Sequence, residues 1–305
     1  MDSTLATVTL PAALAVVMLG LGLDLRPADF TRLVHHPRAA VLCMGFQLVL
    51  MPLACFGLVH LFGLPPALAV GMMLLAASPG GTTSGLYTHL FHGNVALSIT
   101  LTAVNSVIAV VTMPLVVNLS LVYFAGDDGT LGLQFDKVVQ VFAIVLVPVA
   151  VGMVIRHLRP RYATRMDLPV RIASVLVLAG VIAVALIAER ENLPGYITAV
   201  GAVVLTFNVL NLAVGYVVPR VSGVRRTDAI TCSFEIGLHN STLAMAIALS
   251  PALLDSTEMA VPAAVYGVVM FGTATAAGFL MRGGRGAGET PMERDTPQEQ
   301  RRTPS

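Results

Sequence analysis

Nine apolar blocks, each about the length that crosses a bilayer, limit what this chain can become. They run roughly Leu5–Leu23, Ala39–Phe62, Leu68–Phe91, Val95–Val122, Val138–Ile155, Pro169–Ala188, Ile197–Val218, Ala229–Leu249 and Met259–Leu280. Hydrocarbon offers no hydrogen-bonding partner, so a spanning block must close its backbone bonds within itself, as a helix does. Of the 305 residues, 56% are hydrophobic and 11% charged, against about 25% charged in soluble domains. The apolar excess comes in these blocks and not as one enlarged core. The expected class is therefore an all-α membrane protein with nine transmembrane helices. The first block lacks a basic leader and runs longer than a signal-peptide core, so it reads as a true span.

The basic residues set the orientation. Arg26, Arg32 and Arg38 lie in the first loop, Arg156, Arg159, Arg161, Arg165 and Arg171 at the fifth, Arg220, Arg225 and Arg226 in the seventh, and five more after Arg282 inclusive. Only Lys137 and Arg190 fall on the other side, so nine spans segregate 16 of 18 basic residues. Cytoplasmic loops carry the Lys/Arg excess, which places the N-terminus outside and the C-terminus in the cytoplasm. The segment from Gly283 to Ser305 is polar and is expected to be a disordered cytoplasmic tail. The net charge of +1 gives no electrostatic case for nucleic acid. Cys43, Cys55 and Cys232 lack the spacing of a zinc or redox pair and read as small buried hydrophobes. Nothing in the chain calls for an obligate protein partner.

Two blocks carry residues out of place in lipid. The third contains Ser78-Pro79-Gly80-Gly81-Thr82-Thr83-Ser84-Gly85. Proline and paired glycines interrupt a helix, and the hydroxyl residues that follow suit the N-cap of a new one. The eighth contains Phe234-Glu235-Ile236-Gly237-Leu238-His239-Asn240-Ser241-Thr242. An ionisable group at that depth is costly and marks an ion or substrate pathway by default. Each block reads as two half-helices around an unwound bend, the simpler reading being a kinked continuous helix. With block five set aside, blocks one to four correspond to blocks six to nine in inverted orientation, with the broken helix third in each. Interrupted segments at matching positions of inverted halves point to a transporter's binding site. Half-helix N-termini suit an anion, while unwound carbonyls and C-terminal ends suit a cation.

SPGGTTSGLYTHLFHGNVALSITLT (Ser78–Thr102) and EIGLHNSTLAMAIA (Glu235–Ala248) resemble the bile acid:sodium symporter family in its bacterial, nine-span branch. LGLGLDLRPADF (Leu19–Phe30), HPRAAVLCMGFQLVLMP (His36–Pro52) and NLAVGYVVP (Asn211–Pro219) do too, so the likeness covers about residues 15 to 275. It implies secondary, sodium-coupled symport of a small organic anion by alternating access, across a bacterial plasma membrane. The membrane domain, residues 1–282, would divide into a panel (about 5–23, 138–155 and 169–188) and a core (about 39–122 and 197–280) in which the broken helices cross.

Residue by residue, the resemblance implies a first sodium site of Ser84, Ser98, Thr102 and Glu235. It implies a second of Gln47, Glu235, His239 and the carbonyls of Ile236 and Leu238. Thr82 and Thr83 on one side and Asn240 and Ser241 on the other, at the starts of the second half-helices, would face the substrate's charged end. Ser98 and Thr102 are four apart and share a helical face, and oxygen donors suit a hard cation. Two positions depart from the family. Gly85 replaces an Asn and His239 replaces a Gln, leaving each site one oxygen short. Three couplings stay open: sodium with water or backbone filling the gaps, protons on His239 or Glu235 replacing sodium in part, or no coupling. Asn208 and Asn211 are the next candidates for the site. The rival classes are an intramembrane enzyme, for which no HExxH motif is found, a passive channel or receptor, and a metalloid efflux carrier. Such carriers have a cysteine at the first break, where this chain has Ser78. The anion itself is not named by the sequence.

Overall fold

The computed structural model describes residues 37–124, 147–148, 150–166, 193–250 and 253–283, with isolated positions 15, 16, 19, 20, 23, 169, 172, 173 and 176. Most of blocks one, five and six, and nearly all of the tail, lie outside the described residues, as does the division into panel and core that depends on them. Among the described residues the elements are helical throughout, joined by short turns.

Eight elements carry the core. A single apolar helix, α1, runs Pro37–Leu61. It is followed by α2 (Pro66–Ala77), α3 (Thr82–Leu90), α4 (Val95–Phe124), α5 (Leu193–Val221), α6 (Arg226–Gly237), α7 (Ser241–Leu249) and α8 (Thr257–Gly283). Among the described residues four helices are long and apolar enough to cross a membrane: α1, α4, α5 from Pro194 and α8 to Arg282. The other four are not. At 1.5 Å per residue, a 12-residue helix spans about 18 Å and a 9-residue helix about 14 Å, against a hydrocarbon core of about 30 Å. Only α2 with α3, or α6 with α7, covers that thickness. The lengths repeat, since α2 and α6 have 12 residues each and α3 and α7 have nine.

Burial follows position. Every residue of α2 from Leu68 to Ala76 and of α6 from Asp228 to Gly237 is buried. A helix covered on all sides sits at the centre of a bundle. The long helices surround this pair and leave large apolar side chains uncovered: Val41, Leu53 and Leu61 on α1, Val111, Leu115 and Leu119 on α4, and Val268, Phe279 and Leu280 on α8. Water would penalise such surface and lipid does not. The backbones of α5 and α6 approach closely at Gly215, where an added Cβ would lie 2.8 Å from Ser233 Cα. Small residues permit such approaches in membrane bundles.

The periphery is tied by polar contacts at one end. Asp228 at the start of α6 pairs with Arg225 at 3.1 Å and accepts from Asn94 Nδ2 at 2.9 Å. These residues lie at the starts of α4 and α6. Apart from the main core, Leu23 and Ala163 form a small cluster with Val16, Leu19, Ile155 and Met166, so the first and fifth blocks meet.

One local feature was not anticipated. Within α1, residues Phe46–Leu50 form a π-turn, closed by Met51 N–H donating to Phe46 O. Pro52 follows directly and has no N–H to offer the ladder, which explains a wider turn here. The turn carries Gln47, 3% exposed, into the interior.

Candidate cation and substrate site

Both anomalous blocks are broken. Helix α2 ends at Ala77 and α3 starts at Thr82; α6 ends at Gly237 and α7 starts at Ser241. The bends are extended peptide and meet as one antiparallel bridge between Gly80 and His239. Gly81 N–H donates to Leu238 O at 3.1 Å and Asn240 N–H donates to Pro79 O at 2.8 Å. Each break thus supplies the hydrogen-bond partners that the other lost on leaving its helix, which the absence of water requires. A continuous kinked helix is excluded at both positions. The expectation that a hydroxyl side chain caps α3 is corrected: Gly81 is its N-cap, with no side-chain cap. At α7 the cap is Asn240, whose Oδ1 accepts from Leu243 N–H at 3.0 Å.

Glu235 lies in the last turn of α6, 1% exposed. Ser84 Oγ lies within donating distance of its Oε2, at 2.7 Å, and of Gly81 O, at 2.8 Å. Thr102 Oγ1 stands 2.8 Å from Oε1 and 2.9 Å from Oε2, and Ser98 Oγ lies 3.4 Å from Oε2. Ser84 Oγ is also 3.4 Å from both Ser98 Oγ and Thr102 Oγ1. Helix α3 supplies the first hydroxyl, and adjacent turns of α4 supply the other two. All four residues expected at the first cation site therefore converge, with the three hydroxyls within 3.4 Å of one carboxylate. Charge-assisted bonds of this kind are the strong ones, and the set is made wholly of hard oxygen donors. Gly80 is part of the same construction. An added Cβ there would run into Glu235 Oε1 and lie 2.7 Å from Glu235 Cδ, so the acid can reach its position only because the first break has no side chain at that point. Gly85 faces Ser98 with space to spare, since a Cβ there would meet Ser98 Oγ at 3.9 Å.

The second set gathers around His239, also 1% exposed. Its Nδ1 lies 3.0 Å from Ser78 O and 3.3 Å from Gln47 Nε2, while Gln47 Nε2 donates to Ser78 O at 3.0 Å. Its Nε2 lies 3.1 Å from Asn211 Nδ2. The ring stacks on Phe207 and meets Tyr266 edge-on, at centroid distances of 5.7 and 5.4 Å. The C-terminal carbonyl of α6, Gly237 O, accepts from Asn208 Nδ2 at 2.8 Å and from Tyr266 OH at 2.9 Å. Leu238 O is taken by Gly81 N–H, and Ile236 O belongs to the final turn of α6.

At the substrate side, Thr82 begins α3 and Thr83 follows it, half-buried; Asn240 is half-buried and Ser241, the first residue of α7, is buried. Ser241 Oγ has no partner among the described residues. The N-termini of α3 and α7 therefore both start at the crossing. Sequence reasoning passed over Tyr266 and Phe207, which pack the ring, and over the reason for Gly80. Asn208 and Asn211 were visible as amides one turn apart in an apolar block, and both reach the second break.

A model of the sodium bile acid symporter family matches residues 11–195, more than half of the chain. The chain belongs to this family. Beyond the matched span, similarity to individual members extends through the second break. The uncharacterized sodium-dependent transporter YocS of Bacillus subtilis is 29% identical over 257 residues, 84% of this chain and 77% of that protein. The probable sodium/metabolite cotransporter BASS1, chloroplastic, of Arabidopsis thaliana is 30% identical over 262 residues. That match covers 84% of this chain but 62% of the plant protein, so the plant protein has sequence with no counterpart here. The human ileal sodium/bile acid cotransporter is 28% identical over 255 residues, 80% of this chain and 70% of its own. Family membership and the apolar helices together make this a membrane protein of a sodium-dependent transporter family.

Proposed function

We propose that this protein is a secondary active transporter that uses an inward sodium gradient to take up a small organic anion. The observation that carries the reading is Glu235, a buried carboxylate ringed by Ser84, Ser98 and Thr102 where two broken helices pair. A carboxylate and three hydroxyls would supply a sodium ion with charge and hard oxygens in one place. The anion's charged end would face the N-termini of α3 and α7, near Thr82, Thr83, Asn240 and Ser241. Each terminus carries roughly half a positive charge, so the pair would offset one carboxylate.

Cation and anion would share the crossing from opposite sides. Sodium at Glu235 would fix α3, α4 and α6 relative to one another and so hold the two N-termini ready for substrate. This is coupling by pre-organisation: either ligand lowers the ordering cost of the other. The reading includes nine spans in inverted halves, a core moving against a panel, an external N-terminus and a cytoplasmic C-terminus. The equal half-helix lengths and the separate cluster at Leu23 and Ala163 support it. The substrate class is a metabolic carboxylate or a bile-acid-like anion, in a bacterial plasma membrane. A carrier, not an enzyme, is the reading that the relatives favour.

The test is uptake into proteoliposomes under imposed sodium or proton gradients, with a panel of labelled carboxylates. Sodium-driven accumulation is expected, and its loss in Glu235→Gln. Normal sodium-driven uptake by that variant would refute the role of the acid. Accumulation driven by pH alone, lost in His239→Gln, would replace sodium with protons. Chemical conversion without net uptake would refute transport.

A further inference from the structure

A second sodium ion at Gln47, Glu235, His239 and the carbonyls of Ile236 and Leu238 does not fit the residues present. Ser78 O can only accept, so the 3.0 Å contact requires His239 Nδ1 to carry the proton and donate. His239 Nε2 then presents its lone pair to Asn211 Nδ2 at 3.1 Å, where an amide N–H donates. Both ring nitrogens lie against polar partners, one ring face stacks on Phe207, and Tyr266 packs edge-on beside it. Gln47 points its nitrogen inward, at Ser78 O. Leu238 O already accepts from Gly81 N–H.

Two amide oxygens are left over. Gln47 Oε1 and Asn211 Oδ1 are buried with no partner among the described residues. Their amide nitrogens lie against different nitrogens of the imidazole, Gln47 Nε2 3.3 Å from the protonated Nδ1, a contact and not a hydrogen bond, and Asn211 Nδ2 3.1 Å from Nε2, so the ring stands between the two amides. Ligands of one hard cation lie about 2.3–2.6 Å from it, hence within about 5 Å of each other, and an intervening ring denies them that convergence. The Glu235 cluster has the opposite form, with three hydroxyl oxygens gathered within 3.4 Å of one carboxylate.

We infer that this carrier binds a single cation, at Glu235, and that the imidazole of His239 fills the place of a second. The ring acts as a neutral crosslink, tying the first break through Ser78 to the second break and, through Asn211, to α5. Gln47 on α1 closes the same network at Ser78. The inference rests on the transporter reading, and its consequence is stoichiometric: one sodium per monovalent anion, so that transport of a monocarboxylate moves no net charge.

Equilibrium binding of labelled sodium to the purified full-length protein, with choline replacing sodium to hold ionic strength, tests this without any substrate. One sodium per protein is expected for the wild type and two for His239→Gln, whose amide removes the ring and adds an oxygen. Two sodium ions on the wild type, or one on a His239→Gln protein that still binds sodium at Glu235, would overturn the assignment. In proteoliposomes, sodium dependence should be hyperbolic and uptake of a monocarboxylate indifferent to a potassium–valinomycin potential. Sigmoidal dependence with acceleration by an inside-negative potential would also overturn it. If one sodium binds yet no carboxylate of the panel is moved, the transporter reading fails while this one stands.

Discussion

Replacing Gly80 by Ala adds one methyl group at the point where the two breaks touch. That methyl would stand 2.7 Å from Glu235 Cδ and 3.1 Å from Glu235 O, and closer still to Oε1. Carbon atoms pack at about 3.5–4.0 Å, so the carboxylate must retreat by about 1 Å or the bridge must open. A retreat of that size carries the 2.7 Å bond from Ser84 and the 2.8 Å bond from Thr102 past hydrogen-bonding range. A bond to a charged group contributes about 1.5–3 kcal/mol. Losing the geometry of even one oxygen pair should weaken sodium by about 10- to 100-fold. Overpacking should add about 1–3 kcal/mol of destabilisation. Gly81→Ala is the matched control, because the nearest atoms to a Cβ there are Thr83 Oγ1 at 3.7 Å and Asn240 Cα at 3.9 Å. The residue sits at φ −96°, open to any side chain. The assay is the sodium concentration for half-maximal uptake, beside a melting curve in detergent. If both variants lie within twofold of the wild type, the close approach of Gly80 to the acid has no functional weight.

Two further perturbations probe the same region. Asn208→Ala and Tyr266→Phe each remove one of two donors to Gly237 O. Each alone should cost about 0.6–1.7 kcal/mol, the range for hydrogen bonds inside membrane bundles, and the double variant should cost more than their sum because the carbonyl is then orphaned. Additive losses in a denaturation series would show that the carbonyl finds another partner. Gly85→Asn places an amide beside Ser98, where a Cβ has 3.9 Å of clearance. An added oxygen ligand should improve sodium half-saturation by about fivefold, the equivalent of about 1 kcal/mol. Unchanged or weaker sodium dependence would mean that the amide does not reach the ion.

The sequence by itself determined the class of fold and the identity of the acid. Hydropathy in blocks of bilayer length leaves helices as the only way to satisfy the backbone, and Pro79-Gly80-Gly81 must interrupt one of them. Glu235 stands out because a carboxylate in an apolar run has no bland explanation as readily available as a serine or asparagine has. Tertiary structure decided what those residues meet. That the two bends pair with each other, and that Ser84, Ser98 and Thr102 all aim at Glu235, depends on contacts between elements more than a hundred residues apart, which no local pattern encodes. The same holds for Gly80, whose missing side chain matters because of an acid 155 positions later, and for His239, whose ring became a crosslink only when Ser78 and Asn211 were brought to its two nitrogens.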